Sequence, residues 1–339
     1  MRLVPAERPP PRIGRVYGPR VAADQGGGVD RPVSRWADLD GPVHYVDHGG
    51  PQDGPLLVCV HGLGGSLLNW AALAPRLTHR CRVLALDLAG FGHTLGRGRS
   101  VSVQANQRLL HRFLTEVAGV PAILVGNSMG GLIAILQVAG EPGSAAGLVL
   151  VDPALPVSIR ARPDPRVFAT FTGFMVPVIG RTMLSRRRGR ASAEQAAHDM
   201  LRLCCADASR VPPEVVDLHV ALAAQRRAYP DVDAEMLTAA QSLLWVLADR
   251  RRYTALQQAI DVPVLLLHGD QDRLVNIASA RAAAAANPSW RFEVARGVGH
   301  VPQLEAPEWT AERILRWLDD HPGNAELAVH ARPMDPARR

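Results

Sequence analysis

The sequence predicts an α/β protein: a doubly wound, mostly parallel sheet that carries an inserted helical cap. Short runs rich in Val, Leu and Ile recur along the chain, and segments with helical patterning lie between them. Runs that are apolar throughout are typical of strands buried on both faces. Their alternation with helices indicates a parallel sheet with helices on both sides. The alternation stops after Asp152 and resumes at Val262, which indicates an insertion.

Each predicted strand is a short apolar run, and each predicted core helix lies between two such runs or follows the last one. The strands are Val43–Val46, Leu56–Val60, Arg82–Leu86, Ala122–Val125, Leu148–Val151, Val264–Leu267 and Arg291–Val294. The helices are Leu67–Leu77, Val101–Ala118, Met129–Ala139, Ile277–Ala286 and Pro307–Leu318.

The insertion between the two halves of the core contains helical segments but no strand pattern. Its predicted helices are Ser192–Cys205, Pro213–Ala228 and Ala234–Arg252. Because ligands in open α/β sheets bind beyond the carboxyl ends of strands, an insertion after a strand should cover the site. We therefore expect a core of residues 36–152 and 262–320, a cap of residues 153–261, a disordered extension at 1–35 and a flexible tail at 321–339.

Composition excludes several classes of function. The 339 residues are 47% hydrophobic, enough for a sizeable core, and the net charge is +6. All basic residues other than histidine are arginines, so a Schiff-base lysine and a P-loop lysine are both absent. The arginines are spread along the chain, so we predict no nucleic-acid partner.

No cofactor or metal site is predicted. The four cysteines and the histidines lack metal-ligand spacing, and the cysteines suit a reduced, cytoplasmic protein. The N-terminal region lacks the apolar segment of a signal peptide. The longest apolar patch, Val167–Gly180, is too short to span a bilayer, although peripheral membrane contact stays open.

A catalytic serine is indicated by the segment Gly126-Asn127-Ser128-Met129-Gly130, which lies between a predicted strand and a predicted helix. This context is typical of a nucleophile elbow, a strained turn that presents a serine. The flanking glycines are expected because a side chain there would collide with the backbone as the chain reverses.

An activated serine needs a base and a group that orients the base, and both types of residue follow later strands. Asp270 and Asp272 lie just beyond one predicted strand, and His300 follows the next. Asp152 follows an earlier strand. The order Ser128, acid, His300 is the one expected when the nucleophile stands on an elbow.

From about Pro42 to Leu318 the chain resembles the α/β-hydrolase family. His61-Gly62-Leu63-Gly64-Gly65 is similar to that family's oxyanion loop, and Asp87-Leu88-Ala89-Gly90-Phe91-Gly92 looks like its D-L-x-G-x-G turn. The resemblance implies that Ser128 is the nucleophile and His300 the general base. It implies an oxyanion hole made by the backbone N–H groups of Leu63 and Met129.

Asp272 is the predicted acid because it matches the family's G-x-x-D spacing counted from Gly269, with Asp270 and Asp152 as alternatives. The family likeness gives His61 and Asp87 structural roles. Apolar cap residues could line an acyl pocket or form the cap's own core; they are Phe168, Phe171, Phe174, Met175 and Val176.

The sequence thus predicts a carboxylesterase or lipase-like serine hydrolase that acts on a fairly apolar small-molecule ester or a lipid. Serine at the elbow disfavours the family's aspartate-dependent dehalogenases and epoxide hydrolases. Two alternatives stay open. One is hydrolysis of a carbon–carbon bond in a vinylogous diketone, and the other is a non-catalytic protein that binds a small ligand in the same pocket.

Overall fold

In the computed structural model, which describes residues 32–158, 160, 161 and 164–321, eight strands form one sheet. They are β1 (Val33–Asp38), β2 (Pro42–Asp47), β3 (Leu56–Val60), β4 (Arg82–Leu86), β5 (Ala122–Asn127), β6 (Ala145–Val151), β7 (Val264–Gly269) and β8 (Arg291–Ala295). The spatial order is β1-β2-β4-β3-β5-β6-β7-β8. Strands β3 to β8 are parallel, whereas β1 and β2 are antiparallel to their neighbours. The predicted fold class is confirmed.

The first strand was not predicted. Residues 1–31 and 322–339 of the predicted extension and tail lie outside the described residues, but Val33–Asp38 pairs with β2 in full register. The prediction of disorder is therefore wrong for the last three residues of the segment 1–35. Most of β1 is exposed at the sheet edge, so it lacks the apolar run by which the other strands were identified.

Helices cover both faces of the sheet, and a hydrophobic cluster lies under each layer. The core helices are α1 (Val103–Phe113), α2 (Met129–Gly140), α9 (Ile277–Ala286), α10 (Pro302–Glu305) and α11 (Pro307–Asp319). The contact between α11 and β6 is close: a Cβ atom on Gly147 would lie 2.7 Å from the ring of buried Trp317. This glycine therefore lets the helix approach the sheet.

Three predicted helices are divided or changed in type. Leu67–Leu77 forms two 3₁₀ turns, Leu67–Trp70 and Ala74–Arg76, where Pro75 removes a backbone donor. The C-terminal part of Val101–Ala118 continues α1 as a short π-helix. Ala234–Arg252 divides at Asp249, whose side chain accepts from the N–H of Arg252 and starts a new helix.

The insertion contains six α-helices in its described residues, between β6 and β7. They are α3 (Pro165–Met175), α4 (Pro177–Arg190), α5 (Ala193–Cys204), α6 (Pro213–Arg226), α7 (Val232–Ala248) and α8 (Arg250–Gln258). Helices α3 and α4 were not predicted, because the prolines that begin them resemble helix breakers. Proline is in fact favourable at the first helical position, where its missing N–H costs nothing.

Two contacts fix the insertion to the core on one side. The Arg226 guanidinium of α6 donates to the carbonyls of Gly90 and Gly92, at 2.6 Å each. The Glu235 carboxylate of α7 accepts from the N–H of Gly96 at 2.9 Å. The turn that begins at Asp87 is thereby held under the cap. No helix in the described ranges has both the length and the apolar character needed to cross a membrane.

Candidate active site

Ser128 stands between the end of β5 and the start of α2, with φ 54° and ψ −120°. This positive φ is a strained conformation for a serine, and the close packing of the neighbouring segments holds it in place. A Cβ atom on Gly130 would lie 2.2 Å from the Val60 carbonyl oxygen, and one on Gly126 would lie 2.6 Å from the Gly130 carbonyl oxygen. The expectation that side chains at these glycines would collide is confirmed.

The loop after β3 lies against this turn. A Cβ atom on Gly62 would lie 2.9 Å from the Ser128 Cβ, so the loop passes the serine at van der Waals distance. Leu63 is the next residue along the loop. Met129 is the first residue of α2, so its N–H has no partner within the helix. Both predicted oxyanion donors therefore belong to segments that meet at Ser128.

His300 and Asp272 are buried and joined by a hydrogen bond of 2.7 Å between Nδ1 and Oδ2. The other oxygen of Asp272 accepts from the N–H groups of Leu274 and Val275, at 2.7 and 3.0 Å. Burial raises the pKa of the Asp272 carboxyl, but His300, His268 and the Val275 N–H lower it by more, so the pKa is below its ordinary value. The structure thus brings together the predicted acid and base, with the acid ionised.

Neither alternative acid forms a hydrogen bond with His300 among the described residues. Asp270 accepts from the N–H of Gly297 at 2.7 Å, in the turn after β8. Asp152 is buried, and its Oδ1 accepts from the N–H of Gly269 at 2.9 Å. Asp152 does lie beside the pair, since atoms of Asp152, Asp272 and His300 fall within 4.8 Å of one another. Burial and the Asp272 carboxylate raise the pKa of Asp152 well above its ordinary value, which favours a protonated Asp152.

Asn127 connects the elbow to the histidine, a role that the sequence did not indicate. Its buried side-chain amide donates to the carbonyl of Val151 at 2.9 Å and to that of His300 at 3.0 Å. The residue before Ser128 therefore fixes the backbone of His300. Only its position beside the predicted nucleophile could have suggested it.

His61 and Asp87 hold the loops around the site. His61 Nδ1 lies 2.8 Å from the Gly62 carbonyl, and its Nε2 accepts from the N–H of Leu88 at 3.1 Å. Asp87 accepts from His44 Nδ1 at 2.7 Å and from the N–H groups of Leu67 and His93 at 2.9 Å each. These contacts fit the structural roles expected for both residues.

Glu305 is a second residue that the sequence analysis missed. Its buried carboxylate accepts from the N–H groups of Gly299, Ala206 and Asp207, at 2.8, 3.0 and 2.8 Å. In addition, the N–H of His300 donates to the Cys204 carbonyl at 2.6 Å. The cap segment 204–207 is thus joined to the loop that carries His300.

Apolar cap residues reach the loop after β3. Phe174, Leu237 and Ala240 form a buried cluster with partly buried residues that include Leu63, Phe171 and Met236. A Cβ atom on Gly64 would lie 3.4 Å from the Cε atoms of Met200 and Met236. Of the predicted pocket residues, Phe171 and Phe174 therefore lie beside the site. The other three, Phe168, Met175 and Val176, are exposed.

We predict that Glu305→Gln destabilises the protein. The amide offers one acceptor oxygen in place of two and brings N–H groups against backbone donors, which leaves at least one buried donor without a partner. The free energy of unfolding, measured by urea denaturation, should fall by about 1–3 kcal/mol. Glu308→Gln is the matched control, because Glu308 forms a solvent-exposed ion pair with Arg76 and such pairs contribute about 0–1 kcal/mol. Equal losses in the two variants would contradict this assignment.

Comparisons with known proteins agree on the fold family. A sequence model of the alpha/beta hydrolase fold matches residues 55–307. The human monoacylglycerol lipase ABHD6 (Homo sapiens) is 23% identical over 288 residues, which cover 81% of each chain.

Solved structures agree with this fold. A putative lipase from Acinetobacter baumannii AYE superposes with a TM-score of 0.70 and 24% identity, covering 86% of this chain and 93% of the other. A thermophilic esterase from Thermogutta terrifontis gives a TM-score of 0.62 and 24% identity, with coverage of 86% and 99%. With most of the chain matched and the elbow geometry in place, the protein belongs to the α/β-hydrolase fold family.

Proposed function

We propose that the protein is a serine hydrolase that cleaves a carboxylic ester of an apolar small molecule or a lipid through an acyl-enzyme. The observation that carries the proposal is the hydrogen-bonded pair Asp272–His300, fixed through Asn127 to the elbow that presents Ser128. Nucleophile, base and orienting acid are the three parts that acyl transfer to a serine requires.

The first half of the reaction forms the acyl-enzyme. His300 accepts the Ser128 hydroxyl proton as Oγ bonds to the ester carbonyl carbon, and Asp272 holds the imidazole in the correct tautomer. The C–O bond to the alcohol then breaks, and His300 returns the proton to the leaving oxygen. In the second half His300 activates a water, which releases the acid and restores Ser128.

The negative charge of each tetrahedral intermediate needs fixed donors. The N–H groups of Leu63 and Met129 are the candidates, since Leu63 lies in the loop that contacts the serine and Met129 begins α2. Donors at a helix start carry partial positive charge, and one such donor contributes about 3–4 kcal/mol to the transition state in other serine hydrolases.

An apolar substrate is supported by the surroundings of the loop. Leu63 packs with Phe171, Phe174 and Met236 of the cap, so an acyl chain next to the loop would contact hydrocarbon and thioether groups. Relatives named as a monoacylglycerol lipase, lipases and esterases agree with ester chemistry.

We predict that Ser128→Ala loses at least about a thousandfold in kcat for p-nitrophenyl esters, because the bond-forming oxygen is removed. The wild type should gain the mass of a fluorophosphonate adduct, and Ser128→Ala should not. Ser100→Ala, at an exposed serine, should match the wild type in both assays. Labelling that persists in Ser128→Ala would refute the nucleophile. Turnover of a vinylogous diketone without ester turnover would instead favour carbon–carbon bond hydrolysis.

Asparagine substitutions should separate the acids. Asp272→Asn should lower kcat by about 10⁴-fold, because the amide cannot orient or stabilise the imidazolium. Asp152→Asn should lower it less than about tenfold, since the amide resembles a protonated carboxyl. The reverse ranking, measured by steady-state kinetics, would make Asp152 the acid.

The same Asp152→Asn variant gives a pH test. Because the pKa of Asp152 is raised on folding, the folded wild type binds more protons than the unfolded chain above the unfolded-state pKa of about 3.9. The free energy of unfolding of the wild type should therefore fall as the pH rises through this range. Asp152→Asn has no carboxyl at this position, so the corresponding loss of stability should be absent in the variant. Urea unfolding should show the variant gaining stability relative to the wild type as the pH rises above about 4. A constant difference would contradict a raised pKa.

Chain-length preference should depend on the cap. Met236→Ala should lower kcat/KM for a p-nitrophenyl octanoate by roughly tenfold while changing the acetate little, because only the longer chain loses the thioether contact. Met183→Ala is the control, since this methionine lies between α3 and α4 beside Gly173, is partly exposed and is not part of the cluster that contains Leu63. A parallel loss for both esters would mean that Met236 does not line the acyl site.

A further inference from the structure

Exposed apolar side chains are concentrated on one part of the cap. Ten large hydrophobic residues are exposed among the described residues, and six of them lie between positions 168 and 183. They are Phe168, Met175, Val176, Val178, Ile179 and Met183, with Val178 74% exposed and Phe168 59% exposed. Scattered single residues of this kind need no explanation, but a contiguous group marks an interaction surface.

The packing of α3 and α4 explains why these side chains face outward. The inner side of the pair is already used: Phe174 packs on Leu237 of α7, and a Cβ atom on Gly180 would lie 2.7 Å from Leu237. Val178 and Ile179 immediately precede Gly180 on a helix that turns 100° per residue, so they do not share its contact with α7. Ile179 and Met183 lie at the edge of the α3–α4 contact, where a Cβ atom on Gly173 would meet both, and they stay partly exposed there.

Arginines extend this surface toward the end of α4. Arg186 and Arg190 follow Ile179 and Met183 at the spacings of three, four and seven residues that place side chains on one helix face. Helix α4 carries five arginines and no acidic residue. Arg188 pairs with Asp233, whereas Arg181, Arg186 and Arg190 make no ion pair within the part of the chain that the structure describes. We call these three arginines and the six apolar residues the α3–α4 surface.

The positive charge of the α3–α4 surface indicates which kind of partner binds there. A two-fold contact with a second copy would bury these arginines without acidic partners, because neither α3 nor α4 carries an acidic residue. Residues 1–31 contain six arginines and three acidic residues, so they carry charge of the same sign. An anionic lipid leaflet offers both complements at once: acyl chains for the apolar residues and phosphates for the guanidinium groups.

We propose that the α3–α4 surface docks the protein on membranes that contain anionic lipids, with Val178 and Ile179 among the acyl chains and Arg186 and Arg190 at the phosphates. Phe171 and Phe174 of α3 belong to the same apolar cluster as Leu63 of the candidate active site. Docking would therefore hold the cap side of that site toward the lipid. The proposal concerns a surface and does not depend on the proposed hydrolysis.

Vesicle flotation with the full-length Ser128→Ala protein tests the proposal without lipid turnover. Binding should be at least tenfold stronger to vesicles of 30% phosphatidylglycerol in phosphatidylcholine than to phosphatidylcholine alone. Val178→Ser with Ile179→Ser should weaken binding at least tenfold, and Arg186→Gln with Arg190→Gln should remove the preference for phosphatidylglycerol. Val33→Ser, at an exposed valine on β1, is the matched control and should bind like the parent. Equal binding by the parent and both double variants, or no binding at all, would overturn the proposal.

A fluorescent label distinguishes the other occupants. An environment-sensitive probe on Ile179→Cys should shift to the blue only when anionic vesicles are added. Burial raises the pKa of the native thiols, that of Cys81 and of Cys204 to about 12, so the introduced thiol reacts first. A probe that is already blue-shifted without vesicles would overturn lipid docking. If that blue shift is then lost on dilution and light scattering shows a dimer, the surface binds a second copy of the protein. If the blue shift persists on dilution, another segment of the same chain covers the surface.

Discussion

Close backbone approach around Ser128 is the constraint on which the rest of the site depends. Gly130 lies against the Val60 carbonyl, and Gly62 lies against Ser128 itself, so β3, β5 and α2 meet with no side chain between them. The left-handed backbone of Ser128 follows from this meeting. Because three elements share the strain, the serine cannot relax without moving the sheet, and its position is set by the fold as a whole.

Buried carboxylates hold the irregular segments that surround this point. Asp87 and Glu305 each accept three hydrogen bonds, and all of these except the one from His44 come from backbone N–H groups. Loops at the carboxyl ends of parallel strands have no sheet partners, so their N–H groups would otherwise be buried without acceptors. The cost of burying each charge is offset by these short, charge-assisted bonds. Asp272 is held in the same way next to His300, since it accepts from the N–H groups of Leu274 and Val275 and bonds to the imidazole.

The parts of the fold that the sequence revealed are those with a local signal. Seven strands were found within a few residues of their bounds because each contains a short apolar run, and five of them are almost wholly buried, whereas β1 was missed because it is an exposed edge strand. Helices α3 and α4 were missed because a proline begins each. Ser128 and His300 were indicated by their strand ends and their order along the chain, and Asp272 by the family's spacing counted from Gly269. Asn127 and Glu305 act through hydrogen bonds to distant backbone, and such bonds leave no pattern in a sequence.

The cap is attached unequally at its two sides. Segment 204–207 is bonded to Glu305 and to the backbone of His300, so any movement there would displace the imidazole. Helices α3 and α4 pack mainly on α7 and on each other. Helices α3 and α4 can therefore shift with less disturbance of the imidazole than segment 204–207 can. The hydrogen bonds that hold His300 thus restrict one side of the cap and leave the α3–α4 side with fewer ties to the core.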